Sequence, residues 1–217
     1  MALVVYDTRD GLADILTAAY RVALPNARFV DFDAVSKEEV ISAFDEMRAG
    51  DLVVLIQSSN FLLDAFRIRL HLFNKKLKVI EHLHLHRNTE DVWDVYVNAL
   101  EYDVAWYRGV GPKLKAKLEN AQELRIQSAD VELIITDGVE SPKLNIGDYT
   151  DMENIGGTFP VGEVFTEAKD FAKMNGSFMC YGYADTAAFT IGMHNPFRVD
   201  VKEGLIVSWQ DDAPESF

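Results

Sequence analysis

The sequence predicts an α/β protein: a parallel, Rossmann-like sheet in its first half, followed by a β-rich second part. Three observations carry this. Short apolar runs alternate with segments of helical period over the first 120 residues. The connections between them are short, as in a parallel sheet with helices on both faces. From about Glu123 the chain turns rich in Gly, Asp and Thr, with short apolar runs between loops. The expected domains are therefore 1–122 and 123–217.

The first strand is Leu3–Tyr6. Leu12, Ile15, Leu16, Ala19 and Val22 then recur at helical spacing up to Pro25. Arg28–Phe32 is a second strand. Ser36-Lys37-Glu38-Glu39 reads as a capping box, opening a helix with Val40, Ile41, Phe44 and Met47 inward and Gly50 as its C′ residue. Leu52–Ile56 is apolar without alternation, as in a strand covered on both faces. The next helix is expected to turn Phe66, Leu70 and Phe73 inward. Lys78–Leu85 is a fourth strand, and Asn88 or Thr89 caps a helix through Val92, Val95, Tyr96 and Ala99. A last helix runs to about Asn120, interrupted near Pro112. Beyond it, Leu124–Gln127 and Val131–Thr136 flank Ser128-Ala129-Asp130 as a hairpin. Later apolar runs are Val164–Phe165, Phe178–Tyr183, Phe197–Val201 and Leu205–Trp209.

The formal net charge is −14, and it is uneven. Residues 1–122 hold 15 basic and 18 acidic residues, net −3; residues 123–217 hold 6 and 17, net −11. An acidic surface repels phosphate backbones, so no nucleic-acid partner is expected. No apolar run reaches bilayer length, so no membrane partner is expected either. The N-terminus has no basic n-region and reads as a strand rather than a signal peptide. Cys180 is the single cysteine, which fits a reducing cytoplasm, and its apolar strand makes it a buried small hydrophobe.

In open parallel sheets, ligands bind at the carboxyl ends of the strands. Two polar loops occupy such positions: Asp7-Thr8-Arg9-Asp10 and Gln57-Ser58-Ser59-Asn60. Asp7, Asp10, Ser58 and Asn60 are thus candidate ligand-binding residues. No glycine-rich nucleotide fingerprint is present, and no nucleophile elbow surrounds Ser58. In Glu81-His82-Leu83-His84-Leu85-His86, alternation would put His82, His84 and His86 on one strand face. Neighbours would lie about 6.6 Å apart and the outer pair about 13 Å apart. One zinc ion, with bonds of about 2.1 Å, could take two but hardly three. Packed histidines bonded to helices or loops are the favoured reading, with substrate contact or a weak metal site as the functional one.

Asn154–Lys169 contains Pro160-Val161-Gly162-Glu163-Val164-Phe165-Thr166. A carboxylate here enters a strand after a Gly/Pro loop, with Gly162 permitting close backbone approach. Glu163 is a hard oxygen ligand if it points inward and a solvated edge charge if it points out. The strip resembles the N-x-P-x-G-E-V-F-T-x-P segment of the thermophilic metallo-aminopeptidase family (aminopeptidases T and S, leucyl aminopeptidase-like), which has a ring-cleaving dioxygenase branch. The hairpin Leu124–Thr136 occupies the place of a family strand pair, and Asn175-Gly176-Ser177-Phe178, Pro196–Val201 and Gly204–Val207 resemble later family segments, so the likeness covers about residues 123–208.

The resemblance implies a hydrolase in which zinc, cobalt or manganese ions activate water for peptide hydrolysis. Glu163 matches the family's metal-ligand glutamate; no catalytic residue is assigned. The family's other ligands lie in a Leu-Gly-Glu segment and among later histidines and an aspartate, which this chain does not reach by Phe217. Glu167-Ala168 replaces the family's proline. The expectation is a truncated or partial member, a site completed by another subunit, or a shortened relative. The resemblance implies a peptide or small-molecule substrate, and a homo-oligomer is expected. The alternatives are a non-catalytic binding or oligomerisation module and a mononuclear-iron ring-cleaving dioxygenase.

Overall fold

The computed structural model describes the chain except Ala65, Asp151, residues 186–189 and Ser216; at residues 185, 190 and 191 it describes the backbone alone. The architecture is α/β, with a five-stranded parallel sheet and a separate five-stranded antiparallel sheet. Two compact units result. The first comprises Met1–Tyr107 and Asn145–Gly162, the second Arg108–Leu144 and Glu163–Phe217. A single boundary at residue 122 therefore does not describe the chain, because residues 145–162 return to the first unit.

The parallel sheet has the order β2-β1-β3-β4-β8, built from Arg28–Asp31, Ala2–Tyr6, Leu52–Ile56, Lys78–His82 and Gly156–Thr158. Its central strands are buried on both faces. Val53, Leu55 and Val79 pack on one side with α2 (Lys37–Asp45) and α3 (Ile68–Asn74). Val54, Ile56 and Ile80 pack on the other with α1 (Gly11–Ala23) and with Trp93 and Tyr96 of α4 (Trp93–Ala99). The capping box forms in full: Ser36 Oγ accepts from the Glu39 backbone, and the Glu39 carboxylate accepts from the Ser36 backbone.

Four local expectations change. α2 ends at Asp45, so Gly50 lies in the following turn rather than at C′. α3 buries Ile68 and Leu72; Leu70 is exposed, and Phe66 precedes the helix. The hairpin of β5 (Glu123–Ser128) and β6 (Val131–Thr136) pairs Ser128 with Val131, so its loop is Ala129-Asp130 alone, with Ala129 at φ 52°. The fourth strand stops at His82. His84 takes the left-handed conformation (φ 53°), and Leu85–Arg87 form a 3-10 turn. His82, His84 and His86 therefore do not line one strand face.

In the second unit, α5 (Val104–Glu119), which begins in the first, leads to an antiparallel sheet of order β12-β11-β10-β6-β5. Its long hairpin is β10 (Met174–Asp185) and β11 (Thr190–Lys202), and β12 is Leu205–Trp209. β7 (Lys143–Asn145) and β9 (Glu163–Phe165) form a two-stranded sheet.

Candidate functional site

The carboxyl ends of the parallel strands hold most of the polar residues picked out from the sequence, and nearly all are committed to one another. Asp7, directly after β1, is fully buried. It accepts from the Ser58 backbone (2.9 Å), the Ser58 hydroxyl and the Arg9 backbone (3.2 Å). Asp10 caps α1 by accepting from Leu12 N (2.9 Å). The Ser58 carbonyl accepts from the backbone and ring Nδ1 of His86. Asp7, Ser58 and His86 thus form one knot tying the ends of β1 and β3 to the turn after β4.

His82 points to the opposite face from Glu81, as strand alternation requires. It is fully buried between Tyr20 of α1 and Tyr96 of α4. Tyr96 donates to the Phe159 carbonyl (3.0 Å), so its oxygen must accept from His82 Nδ1–H (2.9 Å). That leaves Nε2 as the acceptor for the Tyr20 hydroxyl at 3.0 Å. Every group is satisfied while neutral. Burial pushes the His82 ring down to about 4 and Tyr20 up to about 12, and it raises Tyr96 as well. This is the packed histidine anticipated from the sequence. The His84 ring is shifted down by burial first, then by Arg87 and His86.

The other face opens into a cleft of about 660 Å³, bounded by Leu55, Gln57, Phe61, Phe66, Arg67 and Glu81 among others. Asn60 is the one predicted ligand-binding residue that lines it. Gln57, at 4% exposure, is fixed in orientation because its Oε1 accepts from Phe61 N (2.9 Å). Flipping the amide would face a donor with a donor. Its Nε2 is therefore a buried donor, and among the described residues it has no partner. Glu81 is also buried and forms an ion pair with Arg69, which donates to Thr158 Oγ1 (3.0 Å). A carboxylate directly after Val79 and Ile80 in a strand was the available signal for Glu81, since such groups are buried only when paired. Gln57 was visible only as part of a polar loop.

Glu163 lies in the second unit at the start of β9, exposed, and its carboxylate has no hydrogen bond or ion pair among the described residues. The neighbouring glycine is required by sterics: Gly162 has φ +130°, and a Cβ there would lie 2.5 Å from the Tyr107 ring. The close approach is thus to a protein ring. A second cavity of about 410 Å³ is lined by Phe165, Thr166 and Glu167 of the strip with Glu140, Ser141 and Lys143, but not by Glu163. Among the described residues no three His, Cys, Asp or Glu side chains converge as metal ligands. The donors around Glu163 therefore do not fit a two-metal centre, which needs several converging ligands. Comparison with family models, with curated proteins and with solved structures finds no match.

Proposed function

We propose that the chain is a small-molecule-binding α/β module whose site is the cleft at the carboxyl ends of β3 and β4. One observation carries the reading: Gln57, which lines the cleft, holds a buried Nε2 without a partner among the described residues. Leaving such a donor unmade costs about 1–3 kcal/mol. A ligand oxygen would recover it. The location agrees with ligand placement in open parallel sheets, and the volume lies in the range of small-molecule sites.

A mixture of 4-phenylbutanoate, 4-phenylbutanamide and 4-phenylbutylamine tests it by NMR. Compounds of this size should bind with Kd roughly millimolar. At least one should shift the Gln57 side-chain NH2 resonances together with the backbone amides of Phe61 and Glu81, and Gln57→Met should abolish the shifts of those two amides. If no probe perturbs cleft residues, the reading fails.

The resemblance of the Pro160–Thr166 strip supports a second reading, an aminopeptidase-like metallohydrolase. Because the donors beside Glu163 do not fit a metal centre, this reading needs ligands from outside the described residues. The ring-cleaving dioxygenase variant needs a histidine and carboxylate triad and meets the same obstacle. Calorimetric titration with zinc, cobalt and manganese decides. Submicromolar binding that Glu163→Gln abolishes would favour the hydrolase; weak binding unchanged by Glu163→Gln would count against it.

A further inference from the structure

We infer that the cleft selects a monoanionic ligand, a carboxylate carried on an aromatic or aliphatic body. This rests on the ligand-binding reading above and adds the ligand's chemical class. Three independent features of the lining point the same way.

The first is hydrogen-bond polarity. Gln57 offers Nε2–H, and its oxygen is already taken by Phe61 N. The group left over is a donor, so the ligand must present an acceptor oxygen at depth. The second is charge. Arg67, Arg69 and Glu81 are the charged lining residues, and Arg69 is paired with Glu81. That leaves Arg67, whose guanidinium has no hydrogen bond or ion pair among the described residues. The lining is therefore net +1 on a chain of net −14. A local positive site on an acidic molecule repels cations and favours a single negative charge. The third is the rest of the wall, which apart from the neutral amides Asn60 and Asn154 is apolar, with Leu55, Phe61, Phe66, Leu70, Phe73 and Leu83 among its side chains. Such a wall fits a hydrocarbon or aromatic body and gives little to a small inorganic anion.

Titrating the three phenyl probes separately tests the inference, because they share one body and differ in the head group. The carboxylate should bind at least fivefold more tightly than the amide or the amine. Arg67→Gln should bring the carboxylate down to the amide's affinity and leave the amide unchanged, a pattern that loss of structure would not produce. If the amide or amine binds the cleft as well as the carboxylate or better, the anion inference is overturned while the binding reading stands. A carboxylate that keeps its preference in Arg67→Gln also overturns the assignment of Arg67. If none of the three shifts Gln57, the binding reading itself falls.

Discussion

The two five-stranded sheets solve the same problem of strand pairing under opposite burial conditions. In the parallel sheet, β1 and β3 are covered on both sides by helices, and their side chains are almost wholly withdrawn from water. In the antiparallel sheet the core is small, centred on Cys180, Phe197 and Val199, and β12 is exposed at every position. The difference decides what a polar residue can mean in each. Asp200 of β11 gathers Ser177, Ser208 and Arg198 at a solvated surface, and those hydrogen bonds, Ser177's first, hold its carboxyl at about 2. A similar group in the parallel sheet must find all its partners inside the protein. Asp7 and His82 do so. Gln57 does not, which is why its free donor is informative and an exposed one would not be.

The largest expected effect tests whether burial is the only difference between the sheets. Gly156 pairs with Val79 at φ +135°, and a Cβ there would lie 1.9 Å from the Val79 carbonyl oxygen. Gly176, at φ +123° in β10, would place one 2.2 Å from the Glu132 carbonyl oxygen. Backbone clash does not depend on solvent. Both Gly156→Ala and Gly176→Ala should therefore cost about 3–4 kcal/mol, strain and lost pairing together. Urea unfolding measures it. In Gly156→Ala the Phe159 amide, which donates to Glu81 O, should also lose exchange protection. A cost below about 1 kcal/mol for Gly156→Ala would refute the pairing of β8 with β4.

The second effect belongs to the buried sheet alone. His82 titrates at about 4 when folded, against 6.5 for a free ring. Between these values the unfolded chain takes up a proton that the folded chain refuses, so stability falls as pH drops from about 6.5 to 4. The total loss is about 3 kcal/mol, and none is expected above pH 7.5. Denaturation at pH 7.5 and at pH 5.0 checks this. His82→Leu should be about 2–3 kcal/mol less stable at pH 7.5, since Tyr20 loses its acceptor. It should also lose the part of the acid response between pH 6.5 and 5. An unchanged acid response in His82→Leu would remove the role assigned to the ring.

How far each sheet could be read in advance follows from the same contrast. Unbroken apolarity at Leu52–Ile56 and the capping box at Ser36–Glu39 are local signals, and the structure keeps both. The histidine run misled because its alternation is also local, whereas its fate is set at a distance. The Gln57 and Ser58 carbonyls accept from Leu85 N and His86 N, which pulls the chain out of the strand after His82. β8 was missed for a related reason. Two of the three residues of Gly156-Gly157-Thr158 are glycines, which strands disfavour, and its partner β4 lies more than 70 residues earlier. The cleft was half legible. Asn60 was found, but the meaning of Gln57 depends on Phe61 N occupying its oxygen.

The smallest effect sharpens the contrast most, because it uses one substitution in two places. Val54 in β3 and Val207 in β12 are both strand valines; the first is fully buried and the second is 57% exposed. Val54→Ala removes two methyl groups from a filled interior and should cost about 2–3 kcal/mol, transfer and cavity contributions together. Val207→Ala removes the same atoms from water and should stay within about 0.5 kcal/mol. Paired urea titrations of the two variants give the difference directly. Equal costs would mean that β12 is covered in solution, and the exposed apolar row Leu205, Ile206, Val207 and Trp209 would then have to be packed against something. The other edge strand, β5, makes this outcome informative. It carries Arg125 paired with Glu123 and Glu132, a charged edge that resists further strand pairing. β12 has no charged side chain of its own. Adding one with Val207→Lys should leave a bare edge as stable as before and weaken a covered one, so that this second variant tells the two states of β12 apart.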